Sequence, residues 1–146
     1  MSGVDIPAWR AIASVPWLYP ALEIAHIVGI GLLLGSLVLV ELRIWGRGAE
    51  LPLAPLARFG LSLTLAGFAL AAASGMTMFL SRPNELLANV PFLIKMALLL
   101  CAGVNAVAFH WRGGVARAGA VGRAQTLASL GLWLAIIICG RSIAYY

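Results

Sequence analysis

The run WLYPALEIAHIVGIGLLLGSLVLVELRIWG, residues 17–46, is apolar for about two dozen residues around Glu23 and His26. A helix needs roughly 20 apolar residues to cross the hydrocarbon core of a bilayer, so this run reads as a membrane span over about residues 18–42. Three further stretches reach that length, at about 59–81, 90–111 and 125–144. The composition agrees: of 146 residues 62% are hydrophobic and 10% charged, and the mean hydropathy is +0.99. Soluble domains are not built from such a mixture.

The expectation is an all-α fold, a single domain of four transmembrane helices covering residues 1–146. The opening segment 1–17 mixes Ile6, Trp9, Ile12 and Trp17 with Arg10 and is expected to lie at the membrane interface. The first apolar run starts too far in, behind too few positive charges, for a cleaved signal peptide, so the segment is expected to be retained. Short connections leave no soluble domain for conventional catalysis. No Ser/His/Asp set, HExxH, phosphate loop or CxxC occurs, and no stand-alone enzyme activity is expected.

Orientation follows from the cations. Arg43, Arg47 and Arg58 fall in the first connection and Arg112, Arg117 and Arg123 in the third, against Arg82 in the second and Arg10 near the start. The positive-inside rule then makes the loops at about 43–58 and 112–124 cytoplasmic and puts both termini on the outer, periplasmic side of a bacterial inner membrane. The pI near 10.0 is accounted for by this topology and by contact with anionic lipid, without nucleic acid as a partner. Cys101 and Cys139 both fall within spans at a spacing that fits no zinc or redox motif, so no disulfide is expected.

Small residues spaced by four, Gly31 and Gly35 in the first helix and Gly67, Ala71 and Gly75 in the second, predict a close-packed seam between these two helices. The bundle could equally be one copy of a homo-oligomer or one subunit beside other membrane proteins.

The chemistry concentrates in the outer half. At about 1.5 Å per residue, His26 lies roughly 10 Å below the boundary set by Tyr19, and Cys139 about as far below Tyr145. Met76 shares that depth, with Lys95, Met96, Met78 and Arg141 somewhat shallower. Glu23, read as the only carboxylate within the spans, is three residues from His26 and so on the same helical face. An ion in hydrocarbon costs on the order of 3 kcal/mol by insertion scales, so Glu23 should find a counter-charge, with Arg141 ahead of Lys95.

Four readings follow. Glu23 and Arg141 form a buried charge pair that only fixes the bundle. Haem b takes His26 as an axial ligand and Met76 as the second, with Arg141 and Lys95 on the propionates. Copper(I) is held by His26, Met76, Met96 and Cys139. A quinone uses Glu23 and His26 as proton acceptors, with Arg141 polarising a carbonyl oxygen. His110 lies about 15 Å or more from His26 along the membrane normal, too far for a bis-histidine haem within one chain. Haem b is slightly preferred, in a binder or subunit of a redox- or metal-linked membrane process.

The run 17–46 together with the closing CGRSIAYY resembles a family of small, uncharacterised four-helix bacterial inner-membrane proteins whose first helix carries E-x-x-H-x-x-G. The matching positions are Glu23, His26, Gly29, Gly35, Glu41, Leu42 and Arg43, with Arg141 as the terminal arginine. The resemblance implies that Glu23, His26 and Arg141 belong together, and names no reaction. A looser likeness, to the membrane domain of CopD-type copper-resistance proteins, implies copper as a ligand.

Overall fold

The computed structural model describes residues 15–146, so the interfacial segment expected at 1–17 lies, but for its last three residues, outside the described part. The chain forms α1 (Leu18–Ile44), α2 (Leu53–Ser81), a short α3 (Pro83–Ala88), α4 (Val90–Trp111), a 3₁₀ turn at Gly114–Arg117, α5 (Ala120–Ser142) and a closing 3₁₀ turn at Ile143–Tyr145. No strand occurs among the described residues. Four helices, α1, α2, α4 and α5, are long and apolar enough to cross a membrane, which is the all-helical four-span fold the sequence predicts.

Two helices begin earlier than the apolar runs suggest. The chain is extended at Pro52, and α2 starts at Leu53 with Pro55 inside its first turn. A first-turn proline is tolerated because the N–H it lacks would have no intrahelical acceptor. Likewise α5 starts at Ala120 and carries Gly122 and Arg123, residues expected in the loop. The connection at 82–89 is also more ordered than a turn. Pro83 occupies the first position of α3, and Arg82 pairs with Glu85 at 3.7 Å.

The helices alternate in direction. The start of α1, the end of α2, the start of α4 and the C-terminus lie together at what is here termed the terminal end. The α1–α2 and α4–α5 connections lie at the opposite, arginine-rich end. Side chains tie the ends accordingly: the Arg82 guanidinium stands 4.7 Å over the Tyr19 ring at one, and Trp45 donates its indole N–H to Thr126 Oγ1 at 2.7 Å at the other. At about 1.5 Å per residue, the 27 residues of α1 reach some 40 Å, more than the roughly 30 Å of hydrocarbon. Its Arg43 end therefore has length to spare for the interface, where the side chain donates to the Leu51 and Ala49 carbonyl oxygens.

The molecule is two hairpins. α1 packs along α2 and α4 along α5, while the hairpins touch each other sparsely, mainly through α1 with α5 and through α2 with the 114–117 turn. Two aromatic contacts bridge them, Phe79 stacked on Phe92 at 5.6 Å and Phe68 edge-on to Trp133 at 6.5 Å.

In the first hairpin the backbones themselves meet. A Cβ on Gly29 would stand 2.7 Å from Ala71 N, and one on Gly67 2.5 Å from Leu33 N. Such contact supplies the dispersion that holds helices together in lipid, where the hydrophobic effect is absent. The seam expected between these helices is present, and its α2 half, Gly67 and Ala71, is as read. Its α1 half is not Gly31 and Gly35, which meet nothing within 4 Å. The buried stripe of α1 runs Gly29, Leu33, Ser36, Val40, and Gly31 is about 200° around the helix from Gly29. Ser36 completes the seam by hydrogen bonding with Thr64 at 2.8 Å.

Candidate functional site

His26 lies in α1 at the terminal half, and its ring is set into the seam. Nδ1 is 2.8 Å from the Ala71 carbonyl oxygen and 3.2 Å from Ser74 Oγ. A carbonyl only accepts, so in the neutral ring Nδ1 carries the hydrogen and Nε2 presents a lone pair. The Ser74 hydroxyl donates to Leu70 O at 2.7 Å, which leaves its oxygen as an acceptor toward the imidazole. Gly75 fixes the other side of the ring: a Cβ there would be 3.0 Å from Cε1. The small residues of α2 thus make a slot for an imidazole as well as a path for a backbone.

Lys95, on α4, lies in the same terminal half of the bundle. It is half-buried against α5, with Nζ 3.5 Å from where a Cβ on Gly140 would stand, and has Cys139 for a neighbour. His26, Lys95 and Cys139 accordingly share one layer. Cys139 is half-buried, Cys101 exposed, and both are unpaired thiols.

The remaining residues of the expected cluster are turned out of it. Glu23 is exposed. Arg141 is exposed too and is engaged within its own chain end, donating to Tyr145 Oη at 2.8 Å with the guanidinium 5.0 Å above that ring. The expected Glu23–Arg141 pair is not formed: among the described residues the one ion pair is Arg82–Glu85. The reason is local geometry. Tyr145 stands four residues from Arg141 and offers both an acceptor and a π face, whereas α1 meets α5 only sparsely. Met76 is 59% and Met96 48% exposed. Among the described residues no three histidine, cysteine or acidic side chains come together in a way that could hold a metal ion.

A second polar region lies in the arginine-rich half and was not legible in the apolar pattern. Glu41, taken as the end of the first span, is inside α1 and only 2% exposed, so Glu23 is not the only carboxylate at membrane depth. It lines a cavity of about 350 Å³ between the hairpins. The signal was its spacing. Glu41 directly follows Val40 on the stripe that starts at Gly29, which turns it into the cavity that Ser129 of α5 also lines.

No protein-family model, curated protein or solved structure matches the chain.

Proposed function

We propose that the protein is a ligand-binding subunit of a redox-linked process in the bacterial inner membrane, with both termini outside and the ligand taken at His26 Nε2. One observation carries this reading: the Nδ1–H of His26 is committed to a backbone carbonyl, which fixes the ring and leaves Nε2 with no hydrogen-bond partner among the described residues. Ligating histidines are oriented in this way, by donating their second nitrogen to a carbonyl or carboxylate.

Haem b is the first ligand class. His26 would hold its iron and Lys95 would face a propionate, with Arg141 available to the other once released from Tyr145. Bound haem would supply one-electron chemistry. The donor set is taken as a single protein ligand, because Met76 is exposed. A quinol is the second class, favoured by the same lone pair: a hydroxyl could donate to Nε2, and the imidazole would take its proton as a general base. Copper has less support, since Met76 and Met96 are exposed. Membership of the E-x-x-H-x-x-G family belongs to the same proposal and gives Glu23 its place beside His26.

The test is to purify the protein gently from its native membrane and measure its visible spectrum, iron, copper and extractable quinone per chain. Near-stoichiometric haem, lost in His26→Ala but kept in Ser74→Ala, is the expected result. Quinone lost in the same variant would establish the second class. No bound ligand in the unmodified protein, with His26→Ala merely unstable, would reduce His26 to a clasp between α1 and α2.

A further inference from the structure

The cavity at the arginine-rich half is independent of the His26 layer. It lies where the hairpins fail to meet, bounded by residues of α1, α2, α4 and α5, and its walls are overwhelmingly apolar. Leu65 and Phe68 of the apolar helix α2 line it and are exposed, by 69% and 45%.

Two features of the lining are chemically incomplete. Glu41 Oε2 and Gln125 Oε1 are buried and have no hydrogen-bond partner among the described residues. Gln125 Oε1 accepts in every state and Glu41 Oε2 accepts when ionised, so a donor that also carries positive charge completes both. Among the described residues no lysine or arginine lines the cavity; beside Glu41 the ionisable group there is His110, which is exposed and bonded to the Ala106 carbonyl oxygen. The carboxyl group of Glu41 thus has no counter-charge among the described lining residues, and a bound cation would let it ionise at this depth. The walls add π faces in Phe68, Phe109 and Trp133, which favour a cation over a neutral solute of equal size.

We propose that this cavity binds a lipophilic organic cation bearing N–H groups, a protonated amine on an aromatic or aliphatic body, with its nitrogen on Glu41 and its body among Phe68, Phe109 and Trp133. A neutral quinol would meet the two acceptors but leave the missing charge and the aromatic lining unexplained. A quaternary cation would satisfy the charge but not the acceptors.

The experiment uses the full chain in lipid nanodiscs at pH 7, titrated with 9-aminoacridine, tetraphenylphosphonium and durohydroquinone by fluorescence and calorimetry. Saturable 1:1 binding of 9-aminoacridine is expected, at least tenfold tighter than tetraphenylphosphonium, with little binding of the quinol. Glu41→Gln, which keeps the shape and removes the charge, should weaken the amine more than tenfold. Trp133→Leu should weaken it severalfold, and it decides the matter if Glu41→Gln does not fold. Unchanged amine affinity in a folded Glu41→Gln protein would overturn the proposal, as would unchanged affinity in Trp133→Leu. Preference for durohydroquinone would overturn it as well, as would partitioning of the amine into protein-free nanodiscs to the same extent.

Discussion

A methyl group on Gly67 would stand 2.5 Å from the backbone nitrogen of Leu33 on the neighbouring helix. Backbone cannot move aside as a flexible side chain can, so α1 and α2 would have to separate along their length. Gly67→Ala is therefore expected to cost about 2–3 kcal/mol, the upper part of the range for overpacking, and Gly29→Ala a similar amount. Gly31→Ala and Gly35→Ala, which open onto space, should be neutral or slightly stabilising, since alanine is the better helix former. Thermal unfolding of the four variants in one detergent separates the two classes; equal losses would mean that the seam runs elsewhere.

Trp45 and Thr126 join hairpins that otherwise meet little. Thr126→Val removes the acceptor of the 2.7 Å bond and keeps the shape, and should destabilise the protein by about 1 kcal/mol. Trp45→Phe should cost more, because packing against the Val40, Ile44 and Ala57 cluster is lost with the bond. The double variant should fall short of the sum of the two in denaturant titration. Full additivity would show that the bond contributes nothing.

Asn89 serves two helices. Its Oδ1 accepts from Phe92 N at 3.0 Å, capping α4, and its Nδ2 donates to Ile143 O at 3.3 Å, where α5 ends. Asn89→Ala should cost about 1 kcal/mol or slightly more, and Asn89→Asp, which keeps only the cap, should recover most of it. Hydrogen exchange at the start of α4 and the end of α5 would report both losses; protection unchanged at either site would remove that half of the assignment.

The arginine distribution predicts which end faces the cytoplasm. With Cys101 and Cys139 replaced by alanine, a cysteine at exposed Asn84 should react with a membrane-impermeant maleimide on spheroplasts, and one at exposed Ala116 only after permeabilisation. The opposite pattern would invert the topology and put the His26 layer on the cytoplasmic side.

The four spans were legible because nothing but a bilayer suits apolar runs of that length, and α2 could be identified as a seam helix from its small residues alone. What composition could not reveal was rotation. The spacing by four singled out Gly31 and Gly35, and the phase set by Leu33, Ser36 and Val40 puts Gly29 against α2 instead. The same limit applied to the ions. Depth says nothing of azimuth, and Glu23, Met76 and Arg141, expected at the depth of His26, are exposed. Glu41 was overlooked for a related reason: two residues before an arginine it resembles an interfacial residue, until the helix is seen to continue to Ile44 with its buried stripe intact.

The division into hairpins has a consequence for how the chain is made. The close contacts of the α1–α2 seam are complete within the first 81 residues, so they can form before the rest of the chain leaves the ribosome. Glu41 is the exception, since Ser129, which lines the same cavity from α5, is synthesised some 88 residues later. A half-made protein thus holds a finished helical pair with one acidic group still open toward the bilayer, and arrival of the second hairpin closes over it.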